Sequence, residues 1–182
     1  MTRIFDILFS FLGLVLLSPV LVGLIIIGYF DTGSPIFRQE RVGKDKQPFR
    51  LMKFRSMNLN APSVATHLAS AASITPYGHF LRKSKLDELP QLWNVFVGDM
   101  SLVGPRPNLF NQEELIYERD SRGVYSVRPG ITGLAQINKI DMSTPQLLAD
   151  TDAKMINELN NLGYFVYIFL TVFGKGFGDR MK

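Results

Sequence analysis

The 182-residue chain contains no cysteine. Disulfides, thiolate metal sites and a cysteine nucleophile are therefore excluded. Histidine is scarce, with only His67 and His79 present. That argues against a multi-histidine metal centre or a Ser-His-Asp triad and leaves acid–base work to carboxylates. Neither a Walker-type GxxxxGKS/T loop nor a GxGxxG fingerprint occurs, and there is no internal repeat or heptad run. Charge is missing altogether from Ile7 to Phe30. Elsewhere the balance is basic, with net charge +4 and a pI near 9.4. Such an excess suits an anionic membrane face, a phosphorylated substrate or nucleic acid, and composition does not choose among them. The length fits one domain with a real core, and 46% apolar residues give a mean hydropathy of +0.10.

The uncharged N-terminal run is long enough to cross a bilayer as a helix, and a single transmembrane anchor is its plainest reading. A signal peptide fits less well, because no small-residue cleavage site precedes a polar segment. Ser18-Pro19 in the middle of the run argues for a break. Proline lacks an N–H, and its ring clashes with the carbonyl of Val15. At bilayer depth that carbonyl needs a donor, and the Ser18 hydroxyl is the local candidate. Such a break can kink a spanning helix or turn it back. Basic residues on both flanks (Arg3 before; Arg38, Arg41, Lys44 and Lys46 after) favour two ends on one face, although Asp6 and Asp31 weaken that signal.

After the turn at Asp31–Pro35, residues 36–42 and 48–57 read as a β-hairpin, with a slip in the apolar alternation at Met52-Lys53. Residues 58–72 read as an irregular loop or weak helix. Helices are expected at 76–85, 86–97, 111–122 and 144–160, with a Pro/Gly-punctuated loop at 126–138. Residues 162–173 are uncharged and aromatic, too short to span. They can be core, or lie in the headgroup plane with Lys175, Arg180 and Lys182 on anionic lipid.

The hairpin is strongly basic. Lys53 and Arg55, two residues apart, face one side of a strand and could clamp phosphate, although a solvated surface explains most of these cations. In Ser84-Lys-Leu-Asp87-Glu88-Leu-Pro90 the plain reading is a helix start, with Ser84 as cap and acidic residues at the positive dipole end. The chemical reading is a carboxylate nucleophile with an acidic partner, since carboxylates accept phosphoryl groups. Arg82, Lys83 and Lys85 stand close by. Gly104-Pro105-Arg106-Pro107 and Arg128-Pro129-Gly130 each hold an arginine on a constrained backbone, as a preorganised phosphate fork would be, or as a rigid turn would be.

The run from Leu81 through Asp87, Glu88, Gln91, Asn94 and Gly98 to Gly104-Pro-Arg106-Pro107 resembles the bacterial sugar transferases, or monotopic phosphoglycosyl transferases. Phe37–Gly43, Lys53–Met57 and Arg128–Gln136 add matches in the same order. The resemblance implies an α+β, mostly helical fold: a re-entrant membrane helix over 1–31, broken at Ser18-Pro19, and a catalytic domain over 32–182 with a small β-hairpin and membrane-apposed helices. It implies a place on the cytoplasmic face of the bacterial inner membrane. The implied reaction moves a sugar 1-phosphate, from a UDP-sugar that is often N-acetylated, to undecaprenyl phosphate, releasing UMP, as the first membrane step of a surface glycoconjugate pathway. By match Asp87 is the nucleophile, Glu88 its partner, and both are magnesium candidates. Lys53, Arg55, Arg82, Arg106, Arg128, Gln136 and Asp152 are the substrate-binding candidates. A homodimer is one assembly the resemblance allows, and nucleic acid is not an expected partner. Two positions depart from the family pattern: Lys139-Ile140 replaces a common Gly-Arg, and Met155 a common tyrosine. The rival readings are a membrane-tethered basic binding protein, whose binding would fall steeply with salt, and a non-catalytic scaffold.

Overall fold

A computed structural model describes residues 2–61 and 73–173. The uncharged run forms two helices, α1 (Thr2–Leu16) and α2 (Ser18–Thr32), bent by 63°. Pro19 lies in the first turn of α2, where a missing N–H costs nothing. The Ser18 hydroxyl donates to the Val15 carbonyl at 2.7 Å, as expected from the sequence. Among the described residues no single helix is long and apolar enough to cross a membrane, and α1 and α2 pass that test only as a bent pair. Much of their apolar surface is exposed, including Leu16, Ile26, Ile27 and Phe30.

Both ends of this pair are fastened to the same folded body. At the start, Arg3 donates to the carbonyls of Val95 (2.5 Å) and Phe96 (2.9 Å), placing a cation at the negative end of α4 (Gln91–Val97). Asp6 is only 2% exposed. Its Oδ1 accepts from Ser101 Oγ and the Leu102 amide of β3 (Ser101–Val103), each at 2.9 Å, and from Tyr164 Oη of α8 (Asn161–Val172) at 2.7 Å. At the other end, Tyr77 Oη donates to the Leu24 carbonyl and Thr75 Oγ1 to Asp31 Oδ2, each at 2.8 Å. Thr75 also caps α3 (Pro76–Ser84) by accepting from the Gly78 amide.

The Tyr164–Asp6 bond gives a pH signature. Burial, and then the Asp6 carboxylate, push the Tyr164 phenol upward, so it stays a donor at neutral pH. The unfolded chain ionises this phenol first, at about pH 10. Its contribution is complete below that pH and is lost as the pH climbs through the raised folded value. Urea stability followed between about pH 9 and 11 should therefore fall, and fall less steeply in Tyr164→Phe. Tyr77, Tyr125 and Tyr167 are raised too, so some slope remains. A variant slope equal to the wild-type one would refute the assignment.

β1 (Ile36–Val42) and β2 (Pro48–Phe54) form the expected antiparallel hairpin, in unbroken register from Ile36–Phe54 to Val42–Pro48. The apparent slip at Met52-Lys53 is a change of partner. Phe49 and Leu51 pack on Val95 and Met100 on one face, while Phe54 packs on Leu24 and Leu81 on the other. The second strand ends at Phe54 rather than Met57, and Met57 makes only an isolated bridge to Ile74. Of the stretch 58–72, residues 62–72 lie outside the described residues, as do Lys175, Arg180 and Lys182.

Three expectations need correction. Residues 86–97 are not one helix: a 3₁₀ turn at Leu86–Glu88 precedes α4, with Pro90 between them. The Pro90 ring would clash with the Leu86 carbonyl in a continuous helix. Ser84 is not a cap but the last residue of α3, its hydroxyl turned back to the Phe80 carbonyl at 2.8 Å. The segment 126–138 is more than a loop. It contains β4 (Gly130–Thr132), parallel to β3, and the short helix α6 (Leu134–Ile137). A Cβ on Gly130 would sit 2.0 Å from the Gly104 amide nitrogen, so this close backbone pairing requires glycine. Helices α5 (Glu113–Ser121) and α7 (Pro145–Glu158) fall near their expected places. α8 divides between the two readings of the tail: Tyr164 packs into the core with Val103 and Met155, while Leu162, Phe169, Val172 and Phe173 are exposed.

Candidate active site

Lys85 adopts a left-handed conformation (φ 59°) that stops α3 and turns the chain into the 3₁₀ segment bearing Asp87 and Glu88. Three segments meet there. Glu88 Oε1 accepts from Arg106 Nη2 at 2.8 Å and from Lys53 Nζ at 3.3 Å. All three side chains are mostly buried, so their charges are weakly screened. Asp87, next to Glu88 in the 3₁₀ turn, is 7% exposed.

Lys53 reaches this place because Asn94 ties β2 to α4. The Asn94 side chain accepts from the Met52 amide at 3.0 Å and donates to the Arg50 carbonyl at 2.8 Å. A carboxamide used in this way mimics one peptide unit of a neighbouring strand.

Arg106 lies on a loop whose successive carbonyls are all taken from behind. Arg119 Nη1 donates to the Arg106 carbonyl (2.8 Å), Arg41 Nη1 to that of Pro107 (3.2 Å) and the Val42 amide to that of Asn108 (2.9 Å). Arg119 Nη1 and Tyr125 Oη also donate to Asn108 Oδ1. Arg119 is held in turn by Asp152, whose Oδ2 accepts from its Nε at 3.0 Å and its Nη2 at 2.6 Å. Asp152 is 0% exposed and Arg119 1%. Burial pushes the Asp152 carboxyl upward, against the pull of Arg119.

The structure thus gathers Lys53 and Arg106 on Glu88, the chain neighbour of Asp87, and distributes the other candidates. Asp152 stands behind the Arg106 loop, with no exposed surface for a substrate. Arg55 donates to the Ser34 carbonyl at 2.8 Å, with its guanidinium over Phe37. Arg82 Nε donates to Ser56 Oγ at 2.8 Å. Arg128 donates to the Gly98 carbonyl at the end of α4 at 2.7 Å. Gln136 is 6% exposed, and both ends of its amide lack a partner among the described residues. Met155 Sδ accepts from the Leu134 amide. Lys139 closes α6 with positive φ, and Ile140 packs against the core, so both family departures have local structural roles. Sequence reasoning missed Arg119, Asn108 and Asn94 as contributors. Their marks are burial and partners far along the chain, which residue type alone does not disclose.

Two adjacent carboxylates suit magnesium, a hard cation usually held by one or two carboxylates together with substrate phosphates. No group of three or more potential protein ligands exists among the described residues, so an all-protein cage is not available there. The donor set fits an ion shared with a phosphorylated ligand.

The model of the bacterial sugar transferase family matches residues 1–176. The chain belongs to this family. Relatives include the UDP-glucose:undecaprenyl-phosphate glucose-1-phosphate transferase of Klebsiella pneumoniae, 41% identical over 98% of this chain and 40% of that protein. The UDP-galactose-lipid carrier transferase of Erwinia amylovora is 41% identical over 75% of this chain and 32% of its own length. A putative undecaprenyl-phosphate N-acetylgalactosaminyl 1-phosphate transferase of Bacillus subtilis is 43% identical over 58% of this chain and 60% of its own length. The chain thus spans about a third of the Erwinia relative and two fifths of the Klebsiella one.

Proposed function

We propose that the chain transfers a sugar 1-phosphate from a UDP-sugar to undecaprenyl phosphate through a covalent Asp87 intermediate. The observation that carries this reading is the convergence of Lys53 and Arg106 on Glu88 beside the buried Asp87. In the first step an Asp87 oxygen attacks the phosphorus that bears the sugar. The bond from that phosphorus to the bridging oxygen breaks, and UMP departs with the electron pair. In the second step a phosphate oxygen of the lipid attacks the same phosphorus and Asp87 leaves as a carboxylate. The two-step route spares the two anionic substrates from meeting directly.

Lys53 and Arg106 offset charge on the phosphates at the reacting centre. A guanidinium has five N–H donors, more than a single carboxylate oxygen can use, so Arg106 can hold Glu88 and a phosphate together. Glu88 fixes the direction of both cations. Asp87 and Glu88 are the residues that would hold magnesium, which when bound supplies further neutralisation of phosphate charge.

The fastening of both ends of α1–α2 to one body supports a re-entrant pair whose two ends lie on the cytoplasmic face of a bacterial inner membrane. The apolar exposed side of α8 supports contact with the same surface. On this reading a re-entrant helix would keep Asp87 near the lipid headgroup, where the acceptor's phosphate must lie. The names of the relatives divide among glucose, galactose and N-acetylgalactosamine; our reading is an N-acetylated donor serving the first membrane step of a surface glycoconjugate.

Purified protein in detergent or nanodiscs, given undecaprenyl phosphate, magnesium and a panel of UDP-sugars, should release UMP with at least one donor. EDTA should stop the release and added magnesium restore it. Binding to anionic vesicles without UMP release from any donor would favour the basic binding protein instead.

A further inference from the structure

We propose that Arg119, clamped by Asp152, is a positioning residue that sets the aim of Arg106 toward the phosphate; this rests on the transferase reading above. Arg119 is sealed from solvent and cannot touch a substrate. Its guanidinium instead bridges two elements. One edge grips Asp152 on α7 through Nε and Nη2, and Nη1 holds the Arg106 carbonyl at 2.8 Å and Asn108 Oδ1 at 2.9 Å. Pro105 and Pro107 on either side of Arg106 have no N–H to give, so this loop is fixed through its carbonyls. Arg119 takes the carbonyl of the very residue whose side chain meets Glu88 at 2.8 Å. Small errors in the placement of a charged group cost rate steeply, and a fork anchored on a helix holds that placement better than a loop alone.

Arg119→Lys is the informative change. Lysine keeps the buried charge but is a point donor on a flexible stem, and cannot hold Asp152 and both loop acceptors at once. We expect kcat to fall about 10- to 100-fold with the KM for undecaprenyl phosphate unchanged. In an Arg106→Met background, followed with radiolabelled donor, Arg119→Lys should cost nothing further. The same pair of comparisons, read as the Kd of UMP by calorimetry, needs no turnover and should show the same loss of effect. Asp152→Asn, which leaves Arg119 in place with a weaker grip, should give a smaller drop with the same dependence on Arg106. Equal losses with and without Arg106, or no loss in either background, would overturn the proposal, the first by showing a purely structural role. Absence of wild-type turnover on every donor would instead sink the transferase reading on which it rests.

Discussion

Asp87→Asn is expected to lower turnover by a factor of about 10⁴ or more and to abolish the phosphosugar adduct seen by intact mass. Asparagine has nearly the same size and shape but cannot form an acyl phosphate, so the first step has no acceptor. The fold should tolerate the change. Asp87 lies in a short 3₁₀ turn set by the left-handed Lys85 before it and Pro90 after it, and neither depends on a charge at position 87. The thermal midpoint should therefore stay within a few degrees of wild type. With undecaprenyl phosphate withheld, wild type given donor should gain the mass of a sugar phosphate, and hydroxylamine should remove it, as it does from acyl phosphates. Near wild-type turnover in Asp87→Asn would end the covalent reading. An adduct that survives in Asp87→Asn and disappears in Glu88→Gln would transfer the nucleophile to Glu88.

How far the sequence foretold these structures depends on distance along the chain. The break at Ser18-Pro19 and its repair by the Ser18 hydroxyl were legible because Val15 is three residues away. The hairpin was legible from a partial apolar alternation in two segments around the polar turn at residues 43–47. The helix expected across 86–97 failed at Pro90, where apolar spacing outweighed a rule that forbids helix between Leu86 and Pro90. β3 and β4 were illegible: three-residue strands carry no periodicity, and their pairing rests on backbone contact between Gly104 and Gly130. The long-range polar contacts were the least legible part of the site. Lys53 and Arg106 both stood out as phosphate candidates, but their meeting at Glu88 depends on Asn94 gripping β2 from another element. Arg119 is one of 20 basic residues, and nothing local distinguishes it from the solvated ones. Asp6, read as a membrane flank charge, is an internal acceptor joining α1, β3 and α8. Asp152 has the same history: an acidic residue expected at the substrate is sealed behind Arg119.

Glu88→Gln should lower kcat by a factor on the order of 10²–10³, a smaller loss than at Asp87, and should leave a slow but detectable adduct. Lys53 Nζ and Arg106 Nη2 contact the same Glu88 oxygen, which places the two cations within roughly 6 Å of each other. At that separation their mutual repulsion is about 3 kcal/mol at an effective dielectric near 20, and the Glu88 charge offsets it. Glutamine keeps a hydrogen-bonding oxygen but not the charge. The two cations should then spread, and both lose their direction toward the phosphates. Stability should fall as well, by about 2 kcal/mol, less than for a sealed pair because each side chain retains some contact with water. The second change that separates causes is Lys53→Met. Added to Glu88→Gln it removes the repulsion, so the double variant should recover most of the lost stability while its turnover stays low, because one cation and the anchoring charge are both gone. If Glu88 were a solvated charge beside the true centre, Glu88→Gln would leave both kcat and the thermal midpoint near wild type, and Lys53→Met would have no stability to restore.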